Sequence, residues 1–161
     1  FGVQDPELHQ GLLLEEVSLG SARQVVQRSN HPLSKKHFRR MHELMQEKEL
    51  FRDPQLNREQ FAKLLDLSSS SITRILKEDA CLNFHEFVDQ YPIKLAKQLL
   101  KDEKYLIYSL EAIGNEAGFK SRSKFYATFK KHTGYTPGSF KSLILSGNLP
   151  NEIIQDSKYM S

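Results

Sequence analysis

The 161 residues suffice for one ordinary domain or two very small ones, and 39% hydrophobic residues is enough for a globular core. A formal net charge of +3 predicts no polyanion partner by itself, and a single cysteine, Cys81, excludes an internal disulfide and a cysteine metal cluster. No run approaches the roughly 20 apolar residues that span a bilayer and no signal-peptide pattern opens the chain, so the expected setting is cytoplasmic.

Residues 1–34 mix short apolar clusters such as Leu12-Leu13-Leu14 with Gly, Pro, Ser and Asn. They read as a linker with one or two short helices. Opening on Phe1, the chain is expected to be the C-terminal part of something longer. From 35 to 51 the spacing of Phe38, Met41, Leu44, Met45 and Leu50 is mostly helical, and Asp53-Pro54 stops it. Asn57-Arg58-Glu59-Gln60 has capping-box form and opens a helix over about 58–66. The serines from Ser68 to Ser71 offer a new start, with Ile72, Ile75 and Leu76 as the buried face.

Asn83-Phe84-His85-Glu86 is a second capping box. It opens a long amphipathic stretch carrying Phe87, Tyr91, Leu95, Ala96, Leu99 and Leu100, in which Pro92 predicts a kink or a break. Ser109 caps the next helix, with Ile113 and Ala117 inward and Gly118 as its end. Ser121 caps a helix carrying Phe125 and Phe129 as far as Gly134, and Thr136-Pro137 starts a short closing helix with Phe140 and Leu143. The tail 146–161 is expected to be flexible and loosely held.

The second half contains one unit twice. Leu76-Lys77-Glu78-Asp79-Ala80-Cys81-Leu82-Asn83-Phe84-His85-Glu86-Phe87 lies over Phe129-Lys130-Lys131-His132-Thr133-Gly134-Tyr135-Thr136-Pro137-Gly138-Ser139-Phe140 without a gap. Upstream, the segment from Phe61 to Leu67 matches that from Ile113 to Phe119 after a one-residue shift in the turn. Each copy reads as helix, tight turn, helix. Ala62 and Gly114 are small enough for the close crossing of two helices, and Asp66 and Gly118 suit a left-handed turn. Between Ala117 and Asn151 there is no acidic residue, while Lys120, Arg122, Lys124, Lys130, Lys131 and Lys141 all fall there. A duplicated helix-turn-helix with a local positive field points to DNA, whose major groove accepts the second helix of each pair.

The outward positions of the first such helix are Ser70, Ser71, Thr73, Arg74 and Lys77, and those of the second are Arg122, Ser123, Lys124, Tyr126 and Ala127. Arg74 and Arg122 are the strongest candidate base readers, because a guanidinium fork can take guanine O6 and N7 together. Phosphate contacts are assigned to Ser69, Lys77, Lys120, Ser121, Lys124, Lys130 and Lys131, with N–H groups at the two helix starts.

Residues from about 35 to 141 resemble the DNA-binding domain of AraC-type transcription regulators. Gly118-Phe119-Lys120-Ser121-Arg122-Ser123-Lys124-Phe125-Tyr126-Ala127-Thr128-Phe129-Lys130-Lys131-His132-Thr133-Gly134-Tyr135-Thr136-Pro137 is similar to that family's motif almost position for position. The resemblance implies an all-α domain over 35–145, two helix-turn-helix units joined by a long bridging helix. It also implies sequence-specific binding of double-stranded DNA, read by Ser70, Thr73 and Arg74 in one groove and by Arg122, Ser123 and Tyr126 in the next. Further implications are RNA polymerase as a partner, transcription activation, a preceding sensor part through which two chains pair, and, from the opening 1–50, a membrane-embedded sensor. Three positions depart from the pattern: Pro92 stands where an arginine is usual, Cys81 fills the place of Gly134, and Ala127 is blunt where longer polar side chains are common.

Competing readings are a helical protein-interaction module on the same fold and, third, a small enzyme. Five residues on a helix set His37 and His42 roughly 140° apart, too far round to share a metal. Cys81 and His85 have no further ligand beside them, and no phosphate loop, nucleophile elbow or carboxylate pair is present. The expectation is no catalysis, no cofactor and no metal.

Overall fold

The computed structural model describes residues 32–154, with no strand among them. Its helices are α1 (Pro32–Glu47), α2 (Arg58–Leu64), α3 (Ser69–Ala80), α4 (Phe84–Lys101), α5 (Leu110–Ala117), α6 (Arg122–Thr133), α7 (Pro137–Leu145) and α8 (Asn151–Ile154). Short 3-10 turns stand at Leu50–Arg52 and Glu103–Tyr105. The fold is all-α, as the periodicity and caps predict.

Most of the expected linker lies outside the described residues. Its last three residues belong to α1, which begins at Pro32, a residue suited to a first helical turn because its missing N–H has no intrahelical partner there. Ser34 is buried in that turn and its hydroxyl donates to the carboxylate of Asp79 on α3. The lead-in helix is thereby fastened to the first helix-turn-helix. At the other end, the stretch expected to be loosely held is packed as far as it is described: Leu149 and Ile153 lie against the second core, and Gly147 turns the chain at φ 72°.

Two hydrophobic cores divide the molecule. The first gathers Met41, Leu44 and Met45 from α1, Phe61 and Ala62 from α2, Ile72, Ile75 and Leu76 from α3, and Phe87 and Tyr91 from α4. The second gathers Ile93, Ala96, Leu99 and Leu100 from α4 with Ile113, Ala117, Phe119, Phe125, Phe129 and Phe140. Helix α4 therefore serves both, its first half in one core and its second half in the other. A complete capping box starts it: Asn83 Oδ1 accepts from the Glu86 N–H at 3.0 Å, and Glu86 Oε2 accepts from the Asn83 N–H at 3.0 Å.

The break considered at Pro92 does not occur. α4 is one helix from Phe84 to Lys101 with Pro92 buried inside it. The proline removes one backbone bond and crowds the preceding turn, at a local cost of about 3 kcal/mol. Phe87 on one side of it and Ile93, Leu99 and Leu100 on the other, each worth about 1.5–3 kcal/mol on burial, together outweigh that cost.

A buried polar pair sits in the first core. Tyr91 is 4% exposed and its hydroxyl hydrogen-bonds to His42 Nδ1, while His42 Nε2 is buried without a partner. Burial, and then the nearby Lys94 charge, hold the His42 pKa down to about 4, and burial pushes that of Tyr91 up. The pair therefore consists of a neutral imidazole hydrogen-bonded to a protonated phenol.

This pair makes stability depend on acid. In the unfolded chain His42 takes up its proton near the ordinary value of 6.5 but in the folded chain only near 4, so its contribution is complete above that ordinary value and is lost progressively as pH falls toward 4. Replacing it by glutamine, whose amide can still hydrogen-bond to Tyr91 but does not titrate, is expected to flatten this part of the acid limb. Urea unfolding midpoints at about pH 7 and about pH 5 check it, the expected result being a smaller drop in His42→Gln than in the unsubstituted chain.

Candidate nucleic-acid interface

The two helix-turn-helix units are built by matching hydrogen bonds. In the first turn the Leu67 N–H donates to Ala62 O at 2.9 Å and the Asp66 N–H to Lys63 O at 3.2 Å. In the second, the Phe119 N–H donates to Gly114 O at 2.9 Å and the Gly118 N–H to Asn115 O at 3.0 Å. Asp66 at φ 57° and Gly118 at φ 107° occupy the left-handed place in each turn. Ser68 Oγ then accepts from the Ser71 N–H at 3.1 Å, and Ser121 Oγ accepts from the Lys124 N–H at 3.1 Å, so each second helix starts on a serine cap. Lys120 is the one extra residue in the second turn, the physical form of the one-residue shift seen in the sequence.

The close crossing of the two helices of the second unit rests on a small residue in α5. A Cβ on Gly114 would fall 2.3 Å from Phe125 Cδ2, so the aromatic ring of α6 fills the space that a side chain on α5 would need. In the first unit Ala62 and the smaller Ile72 occupy the matching places, 2% and 0% exposed. After α3 and after α6 the chain turns through another left-handed residue, Cys81 at φ 59° and Gly134 at φ 81°.

On α3, Ser70, Thr73, Arg74 and Lys77 are exposed on one face opposite Ile72, Ile75 and Leu76, and Ser69 is half-buried in the first turn. Thr73 Oγ1 donates to Ser69 O at 3.2 Å and accepts from Arg58 Nη1 at 3.1 Å, which fixes its rotamer. Arg74 lies 3.5 Å from Glu78 Oε2 one turn along the same helix, with 61% of its side chain exposed. On α6, Arg122, Ser123, Ala127 and Lys130 are exposed, and Tyr126 is half-buried at their margin. The Arg122 guanidinium stands 5.0 Å from the centre of the Tyr126 ring, a stacked pair presented together. Lys120 and Ser121 are exposed at the helix start.

Two candidate phosphate residues are partly committed elsewhere. Lys124 Nζ lies 3.6 Å from Asp89 Oδ1, and Lys131 Nζ lies 3.6 Å from Glu86 Oε1, both carboxylates belonging to α4. These lysines stand on the flank of α6 that faces the bridging helix, whereas Ser123, Ala127 and Lys130 form the outermost stripe. The structure adds Arg58, which the sequence reading used only as part of a cap. It stands in the first turn of α2 against Thr73, a contact across 15 positions that no periodicity marks.

Among the described residues no group of three or more His, Cys, Asp and Glu could hold a metal ion, and no helix is long and apolar enough to cross a membrane.

The class is thereby defined: a helical domain with two helix-turn-helix units on one bridging helix. The chain belongs to the AraC-type helix-turn-helix family, a family of DNA-binding domains and not an enzyme class; the family model, described as a helix-turn-helix domain, matches residues 61–142. It is similar to the Msm operon regulatory protein of Streptococcus mutans serotype c (strain ATCC 700610 / UA159), 31% identical over 83 residues. That stretch is 52% of this chain and 29% of the relative, so the chain spans less than a third of that protein. In fold it is similar to a solved structure of a protein of unknown function from Listeria innocua, with a TM-score of 0.50 and 22% identity, covering 62% of this chain and 91% of that one.

Two substitutions test the unit's geometry. Gly114→Ala is expected to destabilise by about 1–3 kcal/mol, because Phe125 must leave its place. Cys81→Gly is expected to stabilise by about 0.5–1 kcal/mol through relief of the left-handed conformation, less the extra backbone freedom of glycine when unfolded. Urea unfolding of the two variants beside the unsubstituted chain measures both signs.

Proposed function

We propose that this chain binds double-stranded DNA sequence-specifically in the control of transcription, with α3 and α6 lying in successive major grooves on one face of the duplex. The observation that carries the reading is the repeated unit itself: two second helices, each started by a serine cap, each with an exposed polar stripe, both held on one continuous α4. Family membership and the name of the Streptococcus relative support the class of function.

In this reading base edges are met by Ser70, Thr73 and Arg74 from α3 and by Arg122, Ser123 and Tyr126 from α6. Arg74 is the best placed, since exchanging Glu78 for a guanine O6 and N7 keeps its guanidinium paired. Ala127 leaves an apolar spot in the α6 stripe suited to a thymine methyl. Phosphates are met by Ser69, Lys77, Lys120, Ser121 and Lys130, and by Lys124 and Lys131 once these exchange a carboxylate of α4 for a phosphate.

The test is selection of bound duplexes from a random pool, followed by titrations of the selected site at several salt concentrations. Arg74→Ala and Arg122→Ala are expected to relax preference at separate base clusters, each with a loss of about 1–3 kcal/mol on the preferred sequence. Lys130→Ala is expected to weaken all sequences alike and to lower the slope of log affinity against log salt by about 0.9. Equal losses on every sequence for all three would defeat the assignment of readers, and binding without a salt slope would favour a protein-interaction module.

A further inference from the structure

Among the described residues, polar ties connect the second helix-turn-helix to the first unit without passing through Pro92, three of them through Lys124, Lys131 and Arg52. Two are the ion pairs of Lys124 with Asp89 and of Lys131 with Glu86, whose lysine side chains are 57% and 67% exposed, so solvent screens them and each contributes little. The third is of a different kind. Arg52 Nη1 donates to the backbone carbonyl of Glu116 at 2.9 Å, across 64 positions of sequence. That carbonyl belongs to the last turn of α5, where carbonyls have no intrahelical partner and the helix dipole is negative, so a guanidinium is the complementary group.

Arg52 is also held from its own side. Its Nε donates to Glu49 Oε1 at 3.0 Å, and its guanidinium carbon lies 5.4 Å from the centre of the Phe51 ring. Phe51 in turn stacks on Tyr91 with ring centres 5.8 Å apart and planes 13° from parallel, which anchors the 3-10 turn in the first core. On the far side, a Cβ at Gly118 would stand 3.5 Å from Arg52 Cγ and 3.5 Å from Phe51 Cε2, so both side chains pack against the turn that leads into α6. Arg52 and the Phe51 beside it thus form a continuous path from the first core to the start of the second recognition helix, in which Arg52 supplies the polar tie.

We propose that Arg52 is a positioning residue for DNA reading: it latches the turn between α5 and α6 to the first unit and so sets the separation of the two recognition helices. The inference rests on the double readout proposed above. It assigns Arg52 no contact with DNA.

The experiment uses the full chain carrying Cys81→Gly, with spin labels on cysteines introduced as Ser70→Cys and Ser123→Cys, one on each exposed face. The distance distribution between the labels, measured without DNA, is expected to be narrow with Arg52, clearly broader with Arg52→Ala, and partly restored with Arg52→Lys, whose ammonium can still donate to the Glu116 carbonyl. In unlabelled variants, affinity for a duplex carrying both selected base clusters is expected to fall about tenfold in Arg52→Ala, the scale of one charge-assisted hydrogen bond. Affinity for a duplex carrying one cluster is expected to stay unchanged. An unaltered distance distribution, or an equal loss on both duplexes, overturns the proposal. Because the distances are read without DNA, a narrow distribution in a chain with no sequence preference would defeat the double readout and leave the latch standing.

Discussion

Everything in this domain depends on α4 being one helix shared by two cores. Phe87 and Tyr91 belong to the first core and Ile93, Ala96, Leu99 and Leu100 to the second, so the handover takes place within two residues around Pro92. Two residues turn a helix by about 200°, which puts the cores on nearly opposite sides of it. A proline is the residue type most costly to that continuity and it stands at the handover. The local penalty is met by burial on both sides, a case of tertiary packing overriding backbone preference.

The duplicated units show which parts of a helix-turn-helix are fixed by geometry and which vary. The backbone bonds of the two turns match pair for pair, and the left-handed residues fall in corresponding places. At the close crossing of the second unit Gly114 leaves room for the Phe125 ring, and at the corresponding positions of the first unit stand the buried Ala62 and Ile72. Surface chemistry is not constrained in this way. Helix α3 pairs its own Arg74 with Glu78, while α6 turns lysines toward carboxylates of α4 and so ties its orientation to the bridging helix.

The local features were legible in the sequence because their causes are local. Caps at Ser68, Asn83, Ser109, Ser121 and Thr136 all accept the N–H three residues on, and the left-handed turns at Asp66, Cys81, Gly118 and Gly134 follow from residue type and the internal repeat. What could not be read were facts decided by distant partners. Ser34 joins the domain because Asp79 waits 45 positions away, Arg52 finds a carbonyl 64 positions on, and α4 survives Pro92 because of side chains from both cores. The direction taken by Lys124 and Lys131 belongs to the same group: helical spacing puts them on the rim of α6, and only the packing of α6 on α4 decides which way that rim faces.

The central claim is that the bridging helix holds two readers at a fixed separation. It is tested most directly by binding of the full chain to duplexes in which the two selected base clusters are moved apart by about half a helical turn, ~5 base pairs, or by about a full turn, ~10 base pairs. A continuous α4 predicts weakened binding to both, because a full turn restores the face of the duplex but leaves the second cluster about 34 Å too far along it. Full recovery at one added turn, or indifference to either insertion, would mean that the units move independently and would contradict the account.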